Sequence, residues 1–473
     1  MRKVMSAAES FTRRVFGEEV LRTRAPGPST SFLGLRATAG YAKNPLAWMR
    51  QLRDTYGDLA ETQVLGRPWF LVSHPDDIEW VLVKNAKKMK RDAYVGILER
   101  TLGKGLLTSE GELWKRQRKL MSQAFTPKSI ATYADTMSAV SDRGCHWHDD
   151  QTIDLHAEMS RVTMEVVSAV LFGTDIGAAE VRTVSEAMEI INGFYANSLE
   201  AVLQVPEWVP TPRNRSLNAA VKRIDGVLFD IIGERRRSRE KHHDLLGTLL
   251  AAVDDDGSAM TDQQLRDEAI TLFLAGHETT ALALGYTLML LAKYPDVERR
   301  LLDELDAVLG GRLPTAEDSK HLPYTRQVLE EAMRLYPPAW TTGREVTEAI
   351  EVRGVTLPVG AQVLTSQWIV HRDPRFFPDP EAFDPDRFEK SKAKDRPKYA
   401  YFPFGGGPRI CIGNHFAMME AILILAIAMQ RYHFELVPDQ TLELAPSVTL
   451  RPKEGVRAVV KHRRTKPAAI NAA

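Results

Sequence analysis

Apolar residues at helical spacing run through most of the chain and predict a mainly helical fold. Residues 152–250 repeat apolar side chains near the 3.6-residue period of a helix. The segment Thr261-Asp-Gln-Gln264 is typical of a capping box, and it opens a helix that we expect to continue to about residue 292. A second apolar run without proline, from Asn414 to Arg431, predicts another buried helix.

Shorter alternating segments predict small β-sheets beside these helices. Residues 58–64 and 69–73 flank Gly66-Arg67-Pro68, which is typical of a hairpin. Residues 346–366 and 440–460 also alternate in the manner of strands. The predicted fold class is therefore mainly α with small β-sheets.

The predicted central helix contains polar residues where its pattern calls for apolar ones. Residues 275–280 read Ala-Gly-His-Glu-Thr-Thr, and burying a carboxyl and two hydroxyls costs free energy. Such a conflict within a well-patterned helix predicts a functional site. Gly276 would allow the helical ladder to open and admit water. The alternative is a kinked helix with a hydrogen-bonded polar cluster.

The positions of the two cysteines draw attention to a loop near the C-terminal end. The chain contains only Cys145 and Cys411, and Cys411 lies in Phe404-Gly-Gly-Gly-Pro-Arg-Ile-Cys-Ile-Gly413, directly before the second apolar run. Unpaired N–H groups at a helix N-terminus favour a thiolate, the form of cysteine that binds metal. The glycines allow close approach of a flat, bulky group, and Arg409 could reach an anionic substituent of it. A small buried apolar residue is the alternative for Cys411.

This loop, Phe-x-x-Gly-x-Arg-x-Cys-x-Gly, resembles the haem-binding loop of the cytochrome P-450 family, and every specified position matches. The resemblance implies the cytochrome P-450 fold and one non-covalently held haem b, whose iron is bound by the thiolate of Cys411. It also implies that Phe404, Arg409 and Gly413 lie against the haem.

The resemblance extends over residues 26–461, and its motifs follow in the family's order. We therefore expect an N-terminal extension at residues 1–25, a single haem domain at residues 26–462, and a disordered tail at residues 463–473. Residues 190–208, by their position, resemble the family's mobile lid over the substrate pocket.

The polar group of the central helix resembles the oxygen-activation sequence of the same family. Carried over, Ala275 lies against the haem, Thr279 orders water there, and Glu278 relays protons to it. His277 is a tempting metal ligand, but the position varies in the family and we expect no ligand role.

Two further sets of residues match the family. The first has an implied structural role, to hold the loop that presents Cys411, and comprises Glu331, Arg334 and Arg387. The second has an implied role as partners of the haem propionates and comprises Trp114, Arg118 and Arg344. Indole and guanidinium groups only donate hydrogen bonds, so they suit carboxylates.

Bulk composition narrows the class of protein. Lys+Arg and Asp+Glu are equal at 62 each, so no basic field predicts binding to nucleic acid. Two cysteines exclude four-cysteine zinc or iron–sulfur sites and suit a reducing compartment. Residues 1–24 contain no apolar run of membrane-spanning length, so we expect no transmembrane anchor and a cytoplasmic, bacterial type of protein.

The resemblance implies a monooxygenase that inserts one oxygen atom of O2 into an apolar substrate, such as a fatty acid, terpenoid or steroid. Because the chain ends soon after the Cys411 loop, electrons are expected from a separate ferredoxin or flavodoxin and its NAD(P)H-dependent reductase. Lys115, Arg116 and Lys119 are predicted to dock this acidic partner. A haem-thiolate peroxygenase or isomerase, which needs no electron donor, is the alternative enzyme, and a non-enzymatic haem sensor is the other class.

Overall fold

The computed structural model describes residues 24–28, 34–173, 178–195, 208–238, 242 and 244–463. The predicted N-terminal extension and tail fall almost wholly outside these residues, and so does most of the predicted lid at residues 190–208. The chain divides into two compact units, residues 1–90 with 344–365, and residues 91–343 with 366–473.

Helices make up most of the described chain, as the apolar periodicity predicts. In chain order they are α1 (Leu35–Lys43), α2 (Pro45–Tyr56), α3 (Pro75–Glu79), α4 (Ala93–Ile97), α5 (Glu99–Leu102), α6 (Gly111–Ser122), α7 (Pro127–Gly144), α8 (Leu155–Phe172), α9 (Ala178–Tyr195), α10 (Pro212–Arg237), α11 (Leu245–Ala251), α12 (Asp262–Lys293), α13 (Pro295–Leu309), α14 (Pro323–Leu335), α15 (Gln367–Val370), α16 (Lys390–Ala393) and α17 (Asn414–Arg431).

The strands are short. They are β1 (Leu59–Val64), β2 (Arg67–Val72), β3 (Met89–Arg91), β4 (Thr152–Asp154), β5 (Thr342–Val346), β6 (Ile350–Val352), β7 (Val355–Leu357), β8 (Gln362–Thr365), β9 (Tyr432–Leu436), β10 (Leu444–Pro446), β11 (Leu450–Pro452) and β12 (Arg457–His462).

A five-stranded sheet of order β1-β2-β8-β5-β3 organises the smaller unit, which the chain leaves within β3 and enters again within β5. Strands β1 and β2 are antiparallel with Leu59 opposite Val72, and β2 runs parallel to β8. Leu65 and Gly66 form the turn with φ of 47° and 78°, as a two-residue hairpin requires. The predicted hairpin is therefore confirmed.

Helix α12 is the centre of the larger unit. Its capping box is present, with Thr261 and Gln264 each accepting a backbone N–H bond from the other residue. Gly276 lies so close to α8 that a Cβ on it would be 3.1 Å from a methyl group of Val167. Gly276 therefore permits close helix packing, and α12 is a continuous helix through residues 275–280 rather than the locally opened ladder that the sequence suggested.

Helix α17 lies beside α7, α12 and α14 and is buried on all sides from residue 421 to residue 429. Its bounds are those predicted from the apolar run, and the mainly helical fold class is confirmed. Among the described helices, none combines the length and the apolar character that crossing a bilayer requires.

Candidate active site

The loop before α17 is shaped by its glycines. Gly405 and Gly407 have φ of 72° and 68°, in the left-handed region that favours glycine. A Cβ on Gly406 would lie 2.4 Å from the ring of Tyr399, so a side chain there would force the loop to move. The backbone N–H of Cys411 donates to the carbonyl of Phe404 at 3.0 Å, which closes the loop. The sequence expectation of a glycine-dependent loop is met.

Cys411 combines an accessible side chain with an enclosed environment. The residue is exposed, yet burial among protein atoms is the main cause that raises the pKa of its thiol. The N–H of Gly413 and the charge of Arg118 act in the opposite direction, and burial outweighs them. The helix N-terminus alone therefore does not keep Cys411 as a thiolate. A metal ion bound to the sulfur would favour the thiolate form.

A strip of accessible residues runs along the otherwise buried middle of α12. Ala275 is exposed, and Leu272 and Thr279 are partly exposed, whereas their neighbours Phe273 and His277 are buried. Leu272, Ala275 and Thr279 are spaced to share one face of the helix. The hydroxyl of Thr279 donates to the carbonyl of Ala275 at 2.8 Å.

Together, the loop and the strip satisfy the needs of a large, flat cofactor with one axial cysteine ligand. An accessible sulfur within an enclosed loop offers the ligand, and an apolar strip on the core helix offers a surface for a ring. The residues that are present therefore fit a haem, with Cys411 as the iron ligand.

Glu278 points to a charged cluster on the buried side of the helix. Its Oε1 lies 2.6 Å from Nε of Arg451 and 3.7 Å from Nε2 of His156, and the hydroxyl of Thr449 donates to it at 3.4 Å. Burial acts to raise the pKa of Glu278, but His156 and Arg451 outweigh burial and lower that pKa to about 2. The carboxyl group is therefore ionised at neutral pH, carries no proton to release, and can act as a hydrogen-bond acceptor.

Two of the predicted propionate partners, Trp114 and Arg118, lie around the Cys411 loop together with Arg409, which was predicted to reach an anionic substituent of the cofactor. The guanidinium of Arg409 is 4.1 Å from the ring centroid of Trp114, donates to the carbonyl of Ser109 at 2.9 Å, and pairs with Glu110. Arg118 donates to the carbonyl of Ile410 at 3.0 Å. The structure thus brings Trp114, Arg118 and Arg409 together. Their role at a propionate stays a prediction, as does that of Arg344, which lies in β5 and belongs to the smaller unit.

The predicted structural residues form an ion-pair cluster in which Glu331 and Arg334 are fully buried and Arg387 is partly exposed. Arg334 donates through Nε and Nη2 to the two carboxylate oxygens of Glu331 at 2.6 and 2.8 Å, and both side chains are 0% exposed. Nε of Arg387 lies 3.3 Å from Oε1 of Glu331, which also accepts the N–H of Asp384 at 2.9 Å. The sequence prediction that the three residues meet agrees with this geometry.

The sequence model of the family described as Cytochrome P450 matches residues 25–457. The chain belongs to the cytochrome P450 family. Two curated relatives from Streptomyces melanosporofaciens are cyclooctatin synthase, 37% identical over 418 residues, and cyclooctat-9-en-7-ol 5-monooxygenase, 36% identical over 425 residues. The matches cover 86% and 88% of this chain and 90% of each relative.

A solved P450 structure has the same fold. The cyanobacterial CYP120A1 with bound retinoic acid superposes with a TM-score of 0.82 at 27% identity, over 93% of this chain and 100% of that one. As a P450, the chain is an oxidoreductase that incorporates oxygen, and the family uses haem with a cysteine thiolate ligand, O2 and a redox partner.

The basic residues predicted to dock that redox partner already have acidic partners within the P450 chain. Arg116 and Lys119 pair with Asp254 at 3.2 and 3.0 Å, and Lys115 pairs with Glu112 at 2.6 Å. Each acidic partner offsets the charge of the basic residue beside it. These pairs therefore weaken the positive field that was expected to attract an acidic redox partner.

Sequence reasoning missed several residues that contact the P450 motifs. Arg451, His156 and Thr449 surround Glu278, and His371 contacts both Arg334 and Phe402, two residues before the Cys411 loop. The sequence around each of these four residues does not predict its contact, because the residue that it contacts is distant in the sequence. A buried carboxyl group in a central helix was the one available indication that a cation must lie nearby.

Proposed function

We propose that this P450 is a monooxygenase that oxidises a cyclic terpenoid. The support is that the curated relatives include terpenoid oxygenases, among them cyclooctat-9-en-7-ol 5-monooxygenase, which is 36% identical over most of both chains. The apolar strip of Leu272 and Ala275 suits a hydrocarbon substrate, and burial of such a substrate would be driven by the hydrophobic effect. This narrows the sequence prediction, which left fatty acids and steroids open.

The cofactor in this proposal is haem b, which supplies the oxidising chemistry when bound. Cys411 would hold the iron by its thiolate, with the N–H of Gly413 and the charge of Arg118 stabilising the sulfur. Trp114, Arg118 and Arg409 would supply donors to the propionates. The electrons would come from a separate ferredoxin or flavodoxin and its reductase.

Thr279 would hold water at the face of α12 where oxygen is activated. Its hydroxyl lies on the accessible strip and is anchored by its bond to the Ala275 carbonyl, which leaves the oxygen lone pairs free to accept. Glu278 lies on the other side of the helix and is ionised. In the proposed relay the ionised carboxylate would accept hydrogen bonds from water and so order the path by which a proton reaches Thr279.

Replacing Thr279 with valine should uncouple electron transfer from product formation. Because the variant lacks the hydroxyl that orders water, we expect product formation to fall by about a hundredfold, a typical contribution of positioned proton transfer. In the reconstituted enzyme, NAD(P)H consumption should persist and hydrogen peroxide should accumulate instead of product. Quantifying product and peroxide per NAD(P)H consumed tests this.

Thr287→Val is the matched control, because Thr287 makes the same bond to the carbonyl four residues earlier, at 2.6 Å, two turns along the same helix. It should leave the coupling unchanged. Equal uncoupling in the two variants would contradict a specific role of Thr279.

The proposed function is tested by titrating the ferric holoenzyme with cyclic terpenes and with straight-chain fatty acids while following the spin-state spectrum. We expect a saturable low-spin to high-spin shift with the terpenes, followed by product that carries oxygen from isotopically labelled O2. A shift with the fatty acids alone would reject the substrate class. Turnover supported by peroxide, and not by O2 with a reductase system, would favour the peroxygenase alternative.

A further inference from the structure

The buried ion-pair cluster does not itself reach the loop that carries Cys411. Arg334 donates to the carbonyls of Pro380, Ala382 and His371, and Arg387 donates to the carbonyl of Asp379. In the described part of the chain, no hydrogen bond or ion pair of Glu331, Arg334 or Arg387 ends within residues 402–413. Any control that the cluster exerts on the sulfur must therefore pass through another residue.

His371 connects the cluster to the loop through hydrogen bonds that are joined by short stretches of the chain itself. Its backbone carbonyl accepts from Nη1 of Arg334 at 2.9 Å, and its ring Nε2 accepts from the backbone N–H of Phe402 at 2.9 Å. The Phe402 carbonyl accepts from the N–H of Gly405 at 2.9 Å, and the Phe404 carbonyl accepts from the N–H of Cys411 at 3.0 Å. A continuous path thus leads from the cluster to the ligand loop.

The imidazole of His371 must be neutral to serve as this acceptor. The residue is fully buried, and its ring contacts Tyr401 and Phe402 at centroid distances of 5.0 and 5.4 Å. Burial, together with the charges of Arg334 and Arg372, lowers the pKa of the imidazole well below its ordinary value. Because Phe402 donates to Nε2, the network assigns the ring proton to Nδ1.

An apolar side chain could fill the same space without the desolvation cost of a buried imidazole. A histidine buried beside arginines loses its hydration, and that loss is offset only by a hydrogen bond that an apolar residue cannot make. A leucine at this position would also leave the Phe402 N–H unpaired in the interior. The presence of histidine therefore indicates that the hydrogen-bond acceptor of its ring, rather than the volume of its side chain, is what the structure requires at this position.

We propose that His371 is a positioning residue for the haem ligand: its ring nitrogen fixes the backbone at Phe402 and so couples the Glu331–Arg334–Arg387 cluster to the placement of the Cys411 sulfur. The proposal rests on the haem-thiolate part of the proposed function and is independent of the substrate. Its test therefore uses no substrate, and its failure would leave the terpenoid assignment untouched.

The test compares His371→Leu, which removes the acceptor at similar volume, with His371→Gln, whose side-chain oxygen can occupy the place of Nε2. The holoenzymes are compared by the thiolate signature of the ferrous–CO spectrum, by the rate of haem transfer to apomyoglobin, and by the ferric–ferrous reduction potential. We expect His371→Leu to lose most of the thiolate signature and to release haem about tenfold faster, the effect of one unpaired buried donor. His371→Gln should restore both properties toward those of the parent enzyme.

Ser138→Ala is the control for a general loss of stability, because it removes a buried 2.6 Å hydrogen bond to Pro314 far from the loop in the sequence. It should lower the melting temperature while the thiolate signature and the haem transfer rate stay unchanged. A His371→Leu enzyme with parental spectrum and transfer rate would overturn the proposal, as would a His371→Gln enzyme no better than His371→Leu. If His371→Leu does not fold, the His371→Gln spectrum decides alone: retention of the thiolate signature supports the proposal and its loss overturns it.

Discussion

Replacing Cys411 with serine is expected to abolish the thiolate signature of the ferrous–CO spectrum and all O2-dependent turnover. A serine hydroxyl does not ionise at neutral pH, so it cannot donate electron density to the iron as a thiolate does, and that donation favours O–O cleavage. The rest of the site, including the Phe404 carbonyl that accepts the backbone N–H of residue 411, is unchanged by the substitution. Difference spectroscopy of the reduced, CO-treated variant provides the measurement.

Cys145→Ala is the matched control, since Cys145 is the other cysteine of the chain. It is fully buried, and burial raises the pKa of its thiol to about 12, so it stays protonated and takes no part in the chemistry. The control should keep the thiolate spectrum and lose only some stability, because a small cavity replaces the sulfur. A persistent thiolate spectrum in the Cys411→Ser variant would show that another residue is the ligand.

Replacing Glu331 with glutamine is expected to lower the free energy of unfolding by about 3–5 kcal/mol, because the change leaves the buried guanidinium of Arg334 without its counter-charge. Glu331 and Arg334 are both 0% exposed, so water cannot take the place of the carboxylate. The loss is a large share of the roughly 5–15 kcal/mol that stabilises a typical domain. Denaturant unfolding and the haem content of the purified variant provide the measurements.

Glu317→Gln is the control for this variant, because Glu317 and Lys320 have the same i,i+3 spacing at 67% and 69% exposure. An exposed pair gains little from its Coulomb attraction, so unfolding should change hardly at all. Equal stability of the two variants would mean that the buried cluster contributes no more than a surface pair.

Features that depend on neighbouring residues were predicted well from the sequence. The capping box at Thr261 and the bounds of α17 follow from patterns that one or two turns of helix contain. The hairpin at Gly66 follows from turn residues between two alternating segments. The Cys411 loop was also evident, because all its constraints lie within ten consecutive residues.

Features that depend on distant contacts were not predictable in the same way. Glu278 meets Arg451 across more than a hundred intervening residues, and the ion pair changes what its carboxyl group can do. Gly276 suggested an opened helix, and its actual effect is close packing against Val167. Lys119 pairs with Asp254, more than a hundred residues further along the chain, so part of the charge on the predicted docking surface is neutralised by a partner that the sequence pattern did not indicate. In each case the residue type was noticed, but its partner is set by the tertiary fold.

The accessible strip of α12 has a consequence for the biosynthesis of the protein. Ribosomes complete α12 well before Cys411, and at about 5–20 residues per second the delay is on the order of ten seconds. During this time the nascent chain displays Leu272 and Ala275 but lacks the residue that anchors the cofactor. The strip therefore stays uncovered until the cofactor is bound, and we expect the yield of active enzyme in a cell to rise with the intracellular supply of haem.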